Sequence, residues 1–247
     1  SIKGICLIAF INAFRFSPLF QIAKDRQGLA VTLGAETFVK LFKETVMTSQ
    51  KSPSTAPRYP APELKDLPDD IKTKILEVQE KAGFVPNVFL ALARRPAEWR
   101  AFFAYHDALM LKEESGNPNG SLTKGEREMI VTTTSAANHC LYCVVAHGAI
   151  LRIYEKKPLL ADQVAVNYRK ADITPRQRAM LDFAMKVCLQ ADAIEAADFE
   201  ALTAHGCDEE DAWDIAATPA CFGPPTRRAG RTARTPDPEL SVRGPRP

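Results

Sequence analysis

The sequence predicts an all-α protein, and three features of the chain support that fold class. From residue 69 onward, apolar residues recur at spacings of three and four, which is the period of an amphipathic helix. Residues that favour helix ends, such as Thr123 and Gly83, flank these segments. We find no convincing alternation of apolar and polar residues that would indicate a half-buried strand. Apolar residues make up 46% of the 247 residues and charged residues 25%, as expected for a globular protein with a substantial core.

We predict that residues 1–61 form an N-terminal extension and linker that is partly disordered. Residues 1–46 combine a short apolar run with a basic, acid-poor composition. This is typical either of a mitochondrial presequence or of sequence upstream of a start at Met47, whereas a signal peptide is disfavoured because no small-residue cleavage site clearly follows. Residues 51–68 are rich in proline and serine, which favours an extended arm.

Residues 62–217 predict one helical domain joined by short loops. Asp69–Lys81 places apolar residues on one helical face, and Gly83 ends that helix. Pro86 and Pro96 each stand near a helix start, where the missing N–H is tolerated. The remaining predictions, in chain order, are a loop at 116–120, a helix capped by Thr123 and Glu126, a helix from Cys140 to about Tyr154, a helical turn at Asp162–Tyr168, a helix capped by Thr174 and Pro175, and helices at 196–204 and 208–217.

The chain changes character at Thr218. The sequence that follows is rich in Pro, Arg and Gly and has no apolar period. We therefore predict that residues 218–247 form a disordered tail. The net charge is +2, and residues 51–223 hold 20 basic and 25 acidic residues. This mildly acidic body argues against nucleic-acid binding. No uninterrupted apolar run reaches the roughly 18 residues of a membrane-spanning helix.

The segment SAANHCLYCVVAHGAILR carries the residues with the most distinctive chemistry. Residues four apart on a helix share a face, so His147 could take the thiol proton of Cys143 directly or through water. Cys140 lies at the helix start, where backbone N–H groups favour a thiolate, and a C-x-x-C pair there can close a disulfide. Glu126 is explained by the capping box, whereas Glu128 could orient the ring of His147 and hold the proton.

Other interpretations of these residues stay open. Buried cysteines often only pack, and a lone histidine on a helix is more often structural than catalytic. A zinc site built from His139, Cys140, Cys143 and His147 is disfavoured because ligands so crowded on one helix cannot surround a tetrahedral ion. Haem attachment needs C-x-x-C-H, and Val144 follows the second cysteine. We therefore expect no metal and no cofactor. With six cysteines and only one close pair, the chain fits a reducing compartment, which we take to be the cytoplasm or, alternatively, the mitochondrion.

The order Glu128, Cys140, Cys143, His147 resembles the signature of the AhpD-like alkylhydroperoxidases, within the carboxymuconolactone decarboxylase-like superfamily. The segments GFVPNVFLALARRP, ITPRQRAMLDFAMKV and DEEDAWDIAA are similar to its peroxidase-related branch, and the resemblance covers roughly residues 62–217. It implies an AhpD-like helical bundle, a homo-oligomer, and peroxide reduction supported by an external thiol or dithiol. In this resemblance Cys143 attacks the peroxide, Cys140 resolves the sulfenic acid, and His147 and Glu128 shuttle the proton.

Two positions depart from the family pattern. Tyr142 stands where well-studied members have a histidine, and it is either a weaker relay residue or a packing aromatic. After Gly223 the family's last apolar helix does not continue, which predicts that this helix is missing and that apolar surface is exposed near Trp213. Two other functions remain open: a lyase like carboxymuconolactone decarboxylase, which does not rely on a C-x-x-C pair, and a non-catalytic oligomeric binding protein on the same fold.

Overall fold

The computed structural model describes residues 59–111, 121–231 and 236–241. The chain divides into two units, Ser1–Pro53 and Ser54–Pro247, and all described residues belong to the second. Every regular element in the described residues is helical, which confirms the all-α fold class. The predicted loop at 116–120, nearly all of the N-terminal extension and the last residues of the tail lie outside the described residues.

Three helices form the N-terminal part of the domain, after a 3-10 turn at Leu64–Asp66: α1 (Asp69–Ala82), α2 (Asn87–Ala93) and α3 (Pro96–Met110). Helix α1 ends at Gly83, whose φ of 80° is readily adopted only by glycine and whose N–H donates to the Gln79 carbonyl. Helix α3 begins with Pro96 at its first position, as the sequence predicts. The three helices share a small core that includes Ile71, Ile75, Trp99 and Phe103.

The centre of the domain is an antiparallel pair of helices, α4 (Lys124–Ala137) and α5 (Leu141–Glu155). Thr123 and Glu126 close the predicted capping box at the start of α4. The chain then reverses through His139, whose φ is 54°. At the far end of the pair, Gly125 lies against the carboxylate end of the Glu155 side chain.

Helices α6 (Leu160–Asn167) and α7 (Pro175–Leu189) pack on α4, and α8 (Ala196–Ala204) packs on α7. A capping box formed by Thr174 and Gln177 starts α7, and 3-10 turns follow α6 and α7. The largest apolar cluster joins α4, α5, α6 and α7, with Met129, Ile130, Leu151, Met180 and Leu181 fully buried. Helix α4 is buried along most of its length, because helices pack on several of its sides.

The last long helix, α9 (Glu209–Arg231), corrects the predicted boundary at residue 217. The prediction failed because three prolines, Pro219, Pro224 and Pro225, weaken any isolated helix through their missing N–H groups. Burial outweighs that penalty, since Cys221, Phe222 and Ala229 are each no more than 6% exposed. After residues that the structure does not describe, a short helix, α10 (Pro238–Ser241), follows. Residues 218–231 are thus part of the packed domain and not of a disordered tail.

A polar cluster fixes the start of α9 on the rest of the domain. Asp211, which is 1% exposed, accepts hydrogen bonds from the backbone and hydroxyl of Ser121 and from Arg176. Arg176 also pairs with Glu126 at 2.8 Å. Burial acts to raise the pKa of Asp211, but the bonds from Ser121 and the charge of Arg176 outweigh it and hold that pKa below its usual range.

Candidate active site

The two predicted cysteines lie at the first turn of α5 and are joined as a disulfide. Cys140 is the N-cap of the helix, and its sulfur accepts the backbone N–H of Cys143 at 3.3 Å. The Cα atoms are 5.4 Å apart, inside the range that a disulfide can span. Both residues are buried, at 1% and 6% exposure. The C-x-x-C spacing produces this geometry because the first helical turn folds residues three apart onto each other.

His147 and Glu128 meet across the α4–α5 pair. The Nδ1 atom of His147 lies 2.7 Å from Oε2 of Glu128. We assign the proton to Nδ1, because an ionised carboxylate can only accept, and this leaves Nε2 able to take a proton. Glu128 is 6% exposed, and a buried carboxylate of this kind requires such a partner. The two residues are 19 positions apart in the sequence, and the reversal at His139 between them brings the carboxylate to the ring.

Cys143 and His147 lie one turn apart on the same side of α5. In the disulfide state, and within the part of the chain that the structure describes, no hydrogen bond joins the Cys143 sulfur to the His147 ring. The direct thiol–imidazole contact that the sequence predicts therefore stays a prediction for the reduced state.

A cavity of about 310 Å³ opens beside the disulfide. Most of its lining is apolar, and much of that is aromatic. Cys143 and His147 face it, whereas Cys140 is not among its lining residues. The other side chains that define its character are Phe84, Phe89, Phe102, Phe103, His106, Tyr142 and Phe222. A cavity of this size and polarity admits a small apolar molecule next to one of the two sulfurs.

Phe222 and His106 are site residues that the sequence did not reveal. The ring of Phe222 meets that of His147 edge to face, with centroids 4.9 Å apart, and also contacts His106 at 5.7 Å. His106 is held by Asp107 at 2.9 Å, and Asp107 also accepts from Lys74. The hydrogen bond from His106 is the main reason that the pKa of Asp107 lies below its usual range. The adjacent His-Asp pair was the one local signal that could have pointed to His106.

Tyr142 binds the C-terminal segment of the chain. Its hydroxyl donates to Oδ2 of Asp237 at 2.9 Å and accepts the backbone N–H of Val88 at 3.2 Å. Asp237 also accepts the backbone N–H of Asn87. Burial raises the pKa of Asp237, and the bonds from Tyr142 and Asn87 only partly oppose this. These contacts tie α2, α5 and α10 together, which is a structural task for Tyr142, and its predicted relay role stays a prediction.

Three further cysteines of the described residues are free thiols that do not line the cavity. Cys207 and Cys221 are buried, and burial raises the pKa of Cys207 and takes that of Cys221 to about 11. Cys188 is partly buried and accepts a hydrogen bond from Asn138. Across the described ranges, no group of three or more His, Cys, Asp or Glu side chains could hold a metal ion. None of the described helices is long and apolar enough to cross a membrane.

Comparison with known proteins gives three informative likenesses. The carboxymuconolactone decarboxylase family matches residues 96–158, a span that includes both cysteines and His147. An alkylhydroperoxidase AhpD core, an uncharacterized peroxidase-related protein from Ralstonia eutropha JMP134, is 68% identical, with a TM-score of 0.73 over 77% of this chain and 97% of that one. A peroxidase-related protein from Silicibacter sp. TM1040 is 38% identical, with a TM-score of 0.71 over 78% and 98% of the two chains.

A more distant likeness concerns the fold alone. The debrominase Bmp8 is 20% identical, with a TM-score of 0.57 over 73% of this chain and 92% of that one. No curated protein matches the chain.

Proposed function

This chain belongs to the AhpD-like group of the carboxymuconolactone decarboxylase-like superfamily, and on that premise we propose that it is a thiol-dependent peroxidase. Its substrates are hydroperoxides, and an external thiol or dithiol supplies the electrons. The observation that carries the proposal is the position of Cys143: it forms a disulfide with Cys140 and lines the same cavity as His147, whose ring is bound to the buried Glu128.

The first half of the proposed cycle oxidises Cys143. Its thiolate attacks the terminal oxygen of the hydroperoxide, so that an S–O bond forms and the O–O bond breaks. The alkoxide that leaves takes a proton and becomes an alcohol, while Cys143 becomes a sulfenic acid. Cys143 is favoured over Cys140 as the attacking residue, because only Cys143 is among the residues that face the cavity.

The second half closes and then reopens the disulfide. The sulfur of Cys140 attacks the sulfenic sulfur of Cys143, the S–S bond forms, and hydroxide leaves as water after it takes a proton. An external dithiol then reduces the disulfide with two electrons and is itself oxidised to a disulfide. The N-cap position of Cys140 supports this step, since it holds the two Cα atoms 5.4 Å apart.

His147 and Glu128 are proposed to manage the protons of both halves. Nε2 of His147 takes the thiol proton of Cys143 and returns it to the leaving oxygen. Glu128 holds Nδ1 and stabilises the imidazolium that forms in between. Since the carboxylate is buried, the interaction is screened little by solvent and is stronger than it would be at the surface.

The protein is also proposed to act as a homo-oligomer in the cytoplasm or the mitochondrion. Trp213 and Phe199, which are 75% and 47% exposed and line the same groove, support self-association. The alternative functions, a lyase and a non-catalytic binding protein, gain no support from the disulfide, which neither of them requires.

The test is hydroperoxide turnover with a dithiol reductant in single cysteine variants. We expect Cys143→Ser to abolish peroxide consumption. Cys140→Ser should retain one turnover and then accumulate a sulfenic acid, which a sulfenate-specific reagent would trap. Glu128→Gln should lower the rate by roughly 10²-fold, a typical contribution of acid–base catalysis.

Cys188→Ser is the matched control, because Cys188 is a free thiol outside the cavity lining. It should turn over like the wild type. Undiminished turnover in both Cys140→Ser and Cys143→Ser would refute the assignment. Absence of turnover in a correctly folded wild type would favour the binding-protein alternative.

A further inference from the structure

Four consecutive hydroxyl residues of α4, Thr132 to Ser135, behave in two different ways. All four are at most 2% exposed. Thr133 and Thr134 donate to the carbonyls of Met129 and Ile130, one turn back, each at 2.8 Å. The hydroxyls of Thr132 and Ser135 are also buried, but neither has a hydrogen-bond partner among the described residues.

Such an arrangement costs free energy in the disulfide state. A buried hydroxyl without a partner loses the hydrogen bonds that it makes with water, and nothing in the folded protein replaces them. The bond to the carbonyl one turn back is the usual solution inside a helix, as Thr133 shows. The hydroxyls of Thr132 and Ser135 do not make this bond.

The helix period places these two residues on the side of α4 that faces the disulfide. Glu128, Thr132 and Ser135 follow one another at spacings of four and three, so they form one stripe. One side-chain contact fixes that stripe against α5, because Glu128 binds His147. At the other end, the Cys140 N–H donates to the Ser135 carbonyl at 3.0 Å, a backbone bond that closes the end of α4 and keeps Ser135 near Cys140. Because the two helices are antiparallel, Thr132 lies between these contacts, at the level of Cys143.

We propose that the hydroxyls of Thr132 and Ser135 bind the sulfurs of the reduced pair, and so favour the dithiol over the disulfide. Reduction by an external dithiol breaks the S–S bond, adds two electrons and at least one proton, and converts the reductant to its own disulfide. The sulfurs then separate, and at least one can carry a negative charge that accepts hydrogen bonds from the two hydroxyls. In the disulfide state both hydroxyls stay unsatisfied. The cost of these unsatisfied hydroxyls and the hydrogen bonds that they make to the thiolate therefore both favour the reduced form.

The inference concerns the same redox pair as the proposed function, but its test needs no peroxide. Each variant is equilibrated in buffers of reduced and oxidised dithiothreitol, quenched with acid, and scored for free thiols. Thr132→Val, which keeps the shape and removes the hydroxyl, should lower the equilibrium constant for reduction about tenfold. This corresponds to a midpoint about 30 mV more negative. The pH midpoint of the thiolate's ultraviolet absorbance should also rise.

Three further variants separate thiolate binding from a packing role. Thr132→Ser retains a hydroxyl and should restore most of the wild-type midpoint. Ser135→Ala should shift it in the same direction as Thr132→Val. Thr133→Val is the matched control: it removes a neighbouring buried hydroxyl whose bond goes to the backbone, and it should leave the midpoint unchanged.

Thermal unfolding adds a readout that does not depend on the redox titration. Thr132→Val should leave the Tm of the oxidised protein unchanged or raised, and should lower that of the reduced protein. A midpoint for Thr132→Val and Ser135→Ala equal to the wild type would overturn the inference, even with peroxidase turnover intact. An equal shift in Thr133→Val would also overturn it, because the effect would then be one of general packing. If Thr132→Val and Ser135→Ala shift the midpoint as predicted but the wild type does not turn over peroxide, only the proposed function would be refuted.

Discussion

Phe222 provides the sharpest test of how the domain is built, because it lies beyond the residue at which the sequence predicts the helical domain to end. It is 4% exposed and contacts the rings of His147, His106 and Phe102. Phe222→Ala removes nearly all of a buried aromatic side chain and leaves a space that the neighbouring rings can only partly fill. Substitutions of this kind cost about 3–5 kcal/mol, a large part of the 5–15 kcal/mol that typically holds a domain folded.

The assay is urea unfolding followed by circular dichroism, with the slope of the transition compared between proteins. Tyr59→Ala is the control, since Tyr59 is an aromatic side chain outside α9 that is 50% exposed. It should change the free energy of unfolding by no more than about 1 kcal/mol. A loss below about 1 kcal/mol in Phe222→Ala, or equal losses in both variants, would show that α9 is not packed past residue 217 as described.

Two further predictions concern buried carboxylates. The folded-state pKa of Asp211 is lowered, so its contribution to stability is present above the unfolded pKa, near 3.9, and is lost as the pH falls below it. Asp211→Asn should therefore lower stability at neutral pH and flatten its acid dependence in urea titrations at several pH values; an unchanged slope would contradict this. Tyr142→Phe removes the O–H donor to Asp237 and should cost about 1–3 kcal/mol in the same unfolding assay. Asp237→Asn serves as its comparison, and full additivity of the two losses in the double variant would show that the residues are not coupled.

The helix starts could be predicted because their signals are local. Thr123 and Glu126 are three residues apart, and a capping box needs only that spacing. Pro96 and Gly83 act through their own backbone angles. The end of α9 could not be predicted in this way. The prolines after residue 218 oppose a helix locally, and what stabilises it is the burial of Cys221 and Phe222 against α3 and α4.

The residues of the candidate site also fall into those that a local pattern predicts and those that only helix packing brings together. Cys140, Cys143 and His147 lie within eight residues at spacings of three and four, so two turns of one helix bring them to a common face. Glu128 was the one longer-range expectation, and it rested on the family resemblance together with the absence of a local role. His106, Phe222 and Asp237 went unnoticed, because they lie 34 or more residues from the nearer cysteine and reach the site through helix packing.

Spacing along the chain was thus sufficient to indicate an all-α fold and to place two sulfurs and an imidazole together, since a helix repeats every few residues regardless of its surroundings. The cavity beside Cys143, the burial of Glu128 and the continuation of α9 past its prolines depend on apolar surfaces that meet only when distant helices pack. Their free energy comes from that burial, and no local pattern of residues encodes it.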